Sequence, residues 1–551
     1  MTAFARRWLL PLLIILLLNL ILSIRLMPTV VSQGRDNGIY SYTAKVMLDG
    51  GTLYKDAWDN KLPAIYFIDM LAFVLFGTNR WALWIMEFIL ITGAALALYS
   101  LFRRLTKRRI VIWSTVLIFL IFARHPDLIW DVDFPEPVAL LPQALFFMLS
   151  YHLFTNPSGR TAFVMGLVSS VMFLIKQTTV GMVLVFIPAI LITNHPILHH
   201  PRRWRYLGLI ILGGLTGLGA MLGYLVVNGI VEDAWRAGFM HARVFHQWVS
   251  LGYPNQSTFV DSVRETLTKS AFKGVMGPIL PFAGIGALLA IIRQLQVRTS
   301  DEPTLRARAT ISIWALLAFP ADVLLTNLTV RSYEHYYVAA IMGMTLLIGL
   351  GLDALWNGYD YFKTSPKPAY HRFRWVMALV IVASLGYIFI GYGTRTAEKA
   401  RLRLEAADWD ITGPLREAEQ PIIDFVKANT EPDDRVWVWG ATTSINFQSK
   451  RDSPTQYHYA YPLIVPDYTT DDMLEEVVRD LDTHQTRLII DRAWKDGTRI
   501  PPLDPARRDP WYRIGGRRDA VMPDLIWEWI QANCDPAISF DRGRQYIYFC
   551  H

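Results

Sequence analysis

The sequence lacks three features that would point to other classes of protein. No period of about twenty to fifty residues recurs in its apolar part, so we infer no internal repeat of the kind found in many secondary transporters. The apolar residues 8–24 follow Arg6 and Arg7 without a small-residue cleavage site, which favours an uncleaved first helix over a signal peptide. The excess of positive charge lies in short loops between apolar segments, so the net charge of +7 is no sign of nucleic-acid binding.

Apolar runs dominate the first part of the chain. Of its 551 residues 52% are hydrophobic, and runs of about fifteen to twenty-five apolar residues recur, as helices that cross a bilayer require. The runs stop after Gly393, where the composition becomes that of a globular domain. We therefore predict a polytopic α-helical membrane domain over residues 1–393 and a soluble domain over residues 394–551. The predicted spans are residues 8–24, 81–102, 110–123, 134–154, 206–227, 274–292, 310–327, 336–356 and 375–393.

The basic loops predict the topology. Residues 103–109 are rich in Arg and Lys and should be cytoplasmic together with the N-terminus, so an even number of spans separates them. Residues 64–77, only about fourteen long, then lie along the outer interface. The basic segments 202–205, 293–308 and 363–374 should also be cytoplasmic. This requires residues 161–193 to cross twice with a turn near residues 176–179, which gives about eleven spans and an extracytoplasmic C-terminal domain.

Lys176 lies at this turn, near the middle of the apolar residues 161–193. A charge inside the membrane costs about 2.5 to 3.5 kcal/mol on insertion scales, which favours a functional site. The alternative is a helix-end lysine whose ammonium reaches the interface. On the predicted topology the broken helix must line a cavity or be buried in protein.

Charged residues of four other segments should lie on the same outer side, namely residues 35–38, 59–63, 131–136 and 331–336. Carboxylates facing several cations suit a lipid phosphate that carries a sugar. When the bond from sugar to oxygen breaks, the phosphate gains a negative charge, which the cations stabilise in the transition state. A carboxylate that takes a proton from an acceptor hydroxyl completes the reaction. A single base predicts inversion at the anomeric carbon.

Each of these residues also has a purely structural interpretation. Asp36 precedes Asn-Gly, a pair typical of turns. Asp131 and Asp133 are compatible with a solvated loop, and by themselves they are weak evidence for a metal. Lys61 is compatible with a helix start, and His335 with packing in an aromatic helix end.

The first outer segment resembles a known family. Arg35-Asp36-Asn37-Gly38-Ile39-Tyr40-Ser41-Tyr42-Thr43-Ala44, Gly50-Gly51-Thr52-Leu53-Tyr54-Lys55-Asp56 and Asp59-Asn60-Lys61-Leu62-Pro63 resemble the first outer loop of the GT-C glycosyltransferases. The similarity is to the bacterial branch that includes the lipid A aminoarabinose transferase and relatives of the protein O-mannosyltransferases. Two departures are Lys61-Leu62-Pro63, where the family has Lys-Pro-Pro, and residues 334–337, which match the family's late aromatic segment loosely.

The resemblance implies a polyprenyl-phosphate sugar donor and a catalytic base in the first loop. It also implies juxtamembrane helices over about residues 25–78, a lysine in the stretch 174–177, and a periplasmic C-terminal domain.

These arguments assign candidate roles to twelve residues. Asp36 is the predicted catalytic base, and Asp133 and Asp131 are the next candidates. The predicted ligands of the donor phosphate are Lys61, Lys176, Arg331, His335 and Arg35. The predicted substrate-binding residues are Tyr40, Glu136, Tyr333 and Glu334. The sequence identifies no cofactor with certainty and leaves dependence on a divalent metal open.

The predicted function is transfer of a sugar from a polyprenyl-phosphate donor to an acceptor hydroxyl on the extracytoplasmic face of the cell membrane, with inversion. The sequence does not distinguish a hexose from a pentose, nor a lipid, polysaccharide or protein acceptor. One alternative is a transporter or flippase of lipid-linked sugars, against which stand the lack of repeats and the large exported tail. Another is a polymerase or ligase that uses lipid-diphosphate donors.

The soluble tail has the pattern of a small α/β domain. Strands are predicted near residues 436–440 and 487–491, and helices over residues 414–429 and 471–481. No nucleophile motif, metal-ligand spacing or phosphate loop stands out, so we expect the tail to cover the membrane cavity and help to select the acceptor. Cys534 and Cys550 flank residues 538–540 and 546–549, which indicates a hairpin closed by a disulfide, with two free buried thiols as the alternative.

Overall fold

The computed structural model describes residues 3–251, 258–268, 280–297, 302–328, 333–365, 371–407, 412 and 414–551. The chain forms two compact units. The helical unit comprises Met1–Val30, Met86–Met221 and Thr258–Ile411, and the α/β unit comprises Val31–Ile85, Leu222–Ser257 and Thr412–His551.

Helices dominate the described part of the chain. Numbered along the sequence they are α1 (Ala3–Ser23), α2 (Arg35–Leu48), α3 (Ala64–Phe76), α4 (Arg80–Leu105), α5 (Arg109–Ala123), α6 (Pro135–Thr155), α7 (Gly159–Ile175), α8 (Gly181–Leu184), α9 (Phe186–Ile192), α10 (Arg203–Val227), α11 (Val231–Trp235), α12 (Ala242–Leu251), α13 (Phe259–Thr268), α14 (Leu280–Val297), α15 (Pro303–Asn327), α16 (Ile341–Thr364), α17 (Phe373–Ala406), α18 (Gln420–Asn429), α19 (Ser444–Ser449), α20 (Asp471–Thr483), α21 (Ala493–Asp496), α22 (Arg508–Arg513) and α23 (Asp524–Asn533).

Many of these helices are apolar enough for a membrane. Within the described residues seven segments are also long enough to cross one, namely Trp8–Leu26, Arg80–Leu105, Pro135–Thr155, Arg203–Val227, Pro303–Asn327, Glu334–Thr364 and Phe373–Ala406. The shorter apolar helices are Ala64–Phe76, Arg109–Ala123, Gly159–Ile175 and Gly181–Ile192. The chain is therefore a multi-pass membrane protein, as predicted. The count of about eleven spans and the side on which each terminus lies stay predictions. Of the predicted span 274–292, residues 274–279 lie outside the described residues.

The helix break at Lys176 is present. Helix α7 ends at Ile175, and a 3-10 turn over Gln177–Thr179 separates it from α8. The backbone groups that the break releases are bonded inside the protein, because the buried Gln143 amide donates to Thr179 O at 3.0 Å and Thr179 Oγ1 donates to Lys176 O at 2.9 Å. Bonding of this kind is what irregular backbone at membrane depth requires.

Close packing by small residues joins α7 to α10. A Cβ on Gly166 would overlap the carbonyl oxygen of Ile210, and a Cβ on Gly213 would overlap that of Phe163. Glycine at both positions allows the two backbones to approach, as is common where membrane helices pack.

A four-stranded sheet organises the α/β unit. Strands β1 (Val436–Trp439), β2 (Leu488–Asp491), β3 (Ile538–Phe540) and β4 (Gln545–Phe549) lie in the order β1-β2-β4-β3. Strand β1 pairs with β2 in parallel, and β4 pairs antiparallel with both β2 and β3. The predicted strands and the predicted helix over residues 471–481 are confirmed. Helix α18 begins at Gln420, later than residue 414, because Pro421 in its first turn favours a helix start there.

A disulfide joins Cys534 to Cys550. The two residues also form an antiparallel bridge, immediately outside the hairpin of β3 and β4. The bond therefore closes the open end of this hairpin.

The boundaries of the two compact units differ from the domain boundary that was predicted from composition. The predicted boundary at Gly393 follows the end of the apolar runs, whereas α17 continues to Ala406 through exposed polar turns. Helices α2 and α3, in the first outer segment, belong to the α/β unit with the tail.

Candidate functional site

Asp36 lies in the first turn of α2 with an exposed side chain. The extended residue Gly34 caps this helix, and a helix N-terminus favours a negative charge nearby. Asp36 is thus a carboxylate that an acceptor hydroxyl can reach.

The N-terminal end of α2 is anchored to the tail. Arg35 Nη1 donates to Asp496 O at 2.8 Å, and Arg35 Nη2 lies 3.8 Å from Asp496 Oδ1. A Cβ on Gly38 would lie 2.7 Å from Ser444 N, so only glycine allows this approach between α2 and α19. Arg35 therefore holds the helix that carries Asp36, and its binding to a phosphate stays a prediction.

Lys61 and Tyr40 lie close together. The Lys61 ammonium is 5.8 Å from the centre of the Tyr40 ring and donates to Asn60 Oδ1 at 2.6 Å. Tyr54 Oη donates to Lys61 O at 2.7 Å, which fixes the backbone. The Lys61 side chain is half-buried, so its charge remains accessible beside a buried tyrosine.

Sequence reasoning missed Asp59, although it lies in the segment that carries the family resemblance. Its buried carboxylate accepts from Tyr66 Oη at 2.5 Å, from Tyr459 Oη at 2.7 Å and from Asn60 N at 2.7 Å. Burial, and then the charge of Asp59, raise the pKa of Tyr459, so this hydroxyl stays protonated and can donate. The only local signal was an acidic residue two positions before Lys61, because Tyr459 is 400 residues away.

His241 is a second residue that the sequence did not indicate. It ends a π-helical stretch, Arg236–His241, a feature often found at functional sites. Its Nδ1 lies 3.4 Å from Asn60 Nδ2, and its ring packs 4.7 Å from that of Trp58. His241 therefore supports the segment that carries Lys61.

In the helical unit Lys176 pairs with a carboxylate. Its ammonium forms an ion pair with Glu136, in the first turn of α6, and lies 3.6 Å from the centre of the Tyr336 ring. Both charged side chains are buried, with 8% of Lys176 and 0% of Glu136 exposed. The charge of Lys176 is thus compensated without a bound phosphate, and its role toward the donor stays a prediction.

His335 lies in an aromatic stack. Its ring centre is 4.4 Å from that of Phe134, 5.1 Å from Trp130 and 5.8 Å from Tyr333. His335 is buried, whereas Tyr333 and Glu334 are half-buried. This stack supports the packing interpretation of His335. Arg331, the neighbouring predicted phosphate ligand, lies outside the described residues.

The two reserve candidates for the base are buried. Asp131 is 1% exposed and Asp133 is 3% exposed, so the interpretation as a solvated loop is wrong. Asp133 has a φ of 72° and its backbone N donates to Glu87 at 2.7 Å. Glu87 also forms a buried ion pair with Arg124. These contacts explain the burial, because the acidic segment is folded onto a paired carboxylate.

The structure groups the predicted residues by unit. Within the α/β unit it places Arg35, Asp36, Tyr40 and Lys61 on α2 and the following loop. Within the helical unit it brings Glu136 and Lys176 together, with Tyr333, Glu334 and His335 on the segment that precedes α16. Throughout the described ranges no three His, Cys, Asp or Glu side chains are arranged to hold a metal.

Comparisons with known proteins address the fold. No protein-family model matches the sequence, and no curated protein matches it. The structure is similar to that of ArnT from Cupriavidus metallidurans in the apo state, with a TM-score of 0.51 and 13% identity over 99% of this chain and 98% of that chain. ArnT from the same organism bound to undecaprenyl phosphate gives a TM-score of 0.49 and 13% identity, with the same coverage.

The chain has the fold of ArnT. The predicted fold class, a polytopic α-helical membrane protein with a small C-terminal sheet, is confirmed. The likeness extends over the full length of both chains, and therefore includes the tail as well as the membrane helices.

Proposed function

We propose that this protein transfers a sugar from a polyprenyl-phosphate donor to an acceptor hydroxyl at the membrane surface. The observation that carries the proposal is Asp36, an exposed carboxylate at the start of α2 in a chain with the fold of a known transferase. Asp131 and Asp133 are buried, which makes them poorer bases for an acceptor that arrives from outside the protein.

Asp36 takes the proton of the acceptor hydroxyl as this oxygen attacks the anomeric carbon. The bond from that carbon to the phosphate oxygen breaks, and the lipid phosphate leaves with the electron pair. One base and no covalent sugar intermediate give inversion. Lys61 stabilises the charge that develops on the leaving phosphate.

The proposal also states on which side of the membrane each end of the chain lies. The distribution of basic loops supports a cytoplasmic N-terminus and an extracytoplasmic domain over residues 394–551. A reporter fused after His551 should be active only outside the cytoplasm, and a tag near His199 should be accessible only from the cytoplasm. The opposite result at either position would refute this topology.

The purified chain in detergent, supplied with a polyprenyl-monophosphate sugar and an acceptor, tests the activity. Asp36→Asn should lower turnover about 10²- to 10⁴-fold while donor binding persists, because the amide keeps the size but cannot accept the proton. Asp49→Asn is the matched control, since Asp49 is an exposed carboxylate at the other end of α2 that pairs with Lys45. It should keep wild-type turnover.

The outcome also separates the alternatives. A flippase would release no product in detergent, and a polymerase or ligase would require a lipid-diphosphate donor. Wild-type turnover by the Asp36→Asn variant would refute the assigned base.

A further inference from the structure

Asp59 is held in a way that the proposed reaction does not explain. Three donors point at one buried carboxylate, from Tyr66 on α3, from Tyr459 in the tail and from the backbone of Asn60. Hydrogen bonds to an ionised group are about twice as strong as neutral ones. Three of them at one side chain fix its position closely.

The residues that follow Asp59 carry the predicted phosphate ligand. The carboxylate accepts from Asn60 N, and the Asn60 side chain accepts from Lys61 Nζ at 2.6 Å. A movement of Asp59 is therefore passed to the Lys61 ammonium through two hydrogen bonds.

The tail also forms hydrogen bonds with Trp58, the residue before Asp59. Trp58 N donates to Gln456 O at 2.9 Å, and Trp58 Nε1 donates to Tyr468 Oη at 3.2 Å. Tyr459 lies between these two tail residues in sequence. The segment 58–61 is thus held by Gln456, Tyr459 and Tyr468, all within the α/β unit.

A purely structural role would not need this chemistry. A buried charged group and its partners can together be replaced by apolar side chains of similar volume at little cost to stability, yet this cluster keeps a carboxylate that accepts from two tyrosine hydroxyls. Hydrogen bonds to a carboxylate fix the orientation and the distance of the groups around it. Such precision matters where an ammonium group must lie close to a phosphate.

We propose that Asp59 and Tyr459 are positioning residues that fix Asn60 and Lys61 for the phosphate of the lipid donor. The inference rests on the proposed function and deepens it, because the soluble tail then contributes a residue to the donor site. Tyr459 acts through Asp59, and Asp59 acts through Lys61.

Tyr459→Phe removes one donor to Asp59 and keeps the ring. We expect kcat/KM for the donor to fall about tenfold, mainly through a higher KM, as a lost hydrogen bond to a charged group predicts. Tyr457→Phe is the matched control, because the Tyr457 hydroxyl lies 3.3 Å from a carboxylate oxygen of Glu476 within the tail. It should leave donor kinetics unchanged while thermal stability changes to a similar extent.

A double variant distinguishes an effect on the position of Lys61 from an effect on folding. With Lys61→Met in place, Tyr459→Phe should have no further effect on kcat/KM, since the group it positions is gone. Equal effects in both backgrounds, or wild-type kinetics for Tyr459→Phe alone, would overturn the inference.

A chemical readout keeps this test independent of the proposed function. Mass spectrometry of the full chain gives the rate at which an amine-acylating reagent modifies Lys61. Tyr459→Phe should raise that rate and Tyr457→Phe should not. If the wild-type chain transfers no sugar, the proposed function fails while a changed acylation rate still supports the positioning of Lys61. An unchanged rate refutes the positioning whether or not the wild-type chain is active.

Discussion

The ion pair between Lys176 and Glu136 allows the contribution of Lys176 to stability to be measured separately from its role in the reaction. Lys176→Met leaves the Glu136 carboxylate buried without its cation. Breaking a buried pair from one side costs about 3 to 5 kcal/mol. The contact of the ammonium with the Tyr336 ring adds up to about 2 kcal/mol, of which a methionine sulfur recovers about 0.3 to 1.5 kcal/mol. We therefore expect Lys176→Met to destabilise the protein by about 3 to 6 kcal/mol.

The matched variant is Lys176→Met combined with Glu136→Leu. Replacing both partners removes the unpaired charge, and such double replacements are neutral or even stabilising by about 1 to 4 kcal/mol. Thermal unfolding in detergent should place the double variant near the wild type and well above Lys176→Met alone. Lys176→Met with wild-type stability, or a double variant that shows the full loss, would refute the assignment of a buried ion pair.

Kinetics on the stable double variant then test the phosphate role. If the ammonium exchanges Glu136 for the donor phosphate, this variant is folded but has a lower kcat and weaker donor binding, because the phosphate gains charge in the transition state. Wild-type stability together with wild-type kinetics would show that Lys176 serves only to hold the broken helix.

Two further predictions follow from buried groups elsewhere. Burial raises the pKa of Asp491 to about 6, so the folded state holds its proton longer than the unfolded state. Stability should then decline by about 3 kcal/mol between about pH 4 and pH 6. The unfolding of Asp491→Asn should lack this contribution, and a difference from wild type that does not vary with pH would contradict it. Gly166→Ala should destabilise the protein by at least about 1 to 3 kcal/mol through overlap with Ile210. Gly208→Ala on α10, where the described structure leaves open space, should be tolerated, and equal melting temperatures for both variants would argue against close packing of α7 with α10.

The sequence was informative where the signal is local. Charged turns before short apolar runs located β1 and β2, and the two flanking cysteines located the hairpin of β3 and β4. A lysine followed by Gln-Thr-Thr inside an overlong apolar run located the helix break. The segment at residues 35–63 carried enough family-specific pattern to predict the fold.

What escaped prediction depends on residues far apart in the chain. The pairing of Lys176 with Glu136 joins α6 to the end of α7, and nothing in either segment specifies the partner. The bond from the Asp133 backbone to Glu87 joins two segments whose sequences do not specify the contact. Asp59 was overlooked because one of its tyrosine partners comes from the tail.

The contact between Asp59 and Tyr459 also bears on how the protein is made. A ribosome must add 400 residues after Asp59 before its partner exists, and contacts of such long sequence separation form late and slowly. Until then the outer segment carries a carboxylate and aromatic side chains with no surface to bury them, which is the condition under which unfinished chains aggregate or are degraded. Nascent chains that stop before Tyr459 should therefore accumulate in the membrane with their helices inserted and residues 31–85 sensitive to protease, so that the stability of the first outer segment is decided only after residue 459 has been added.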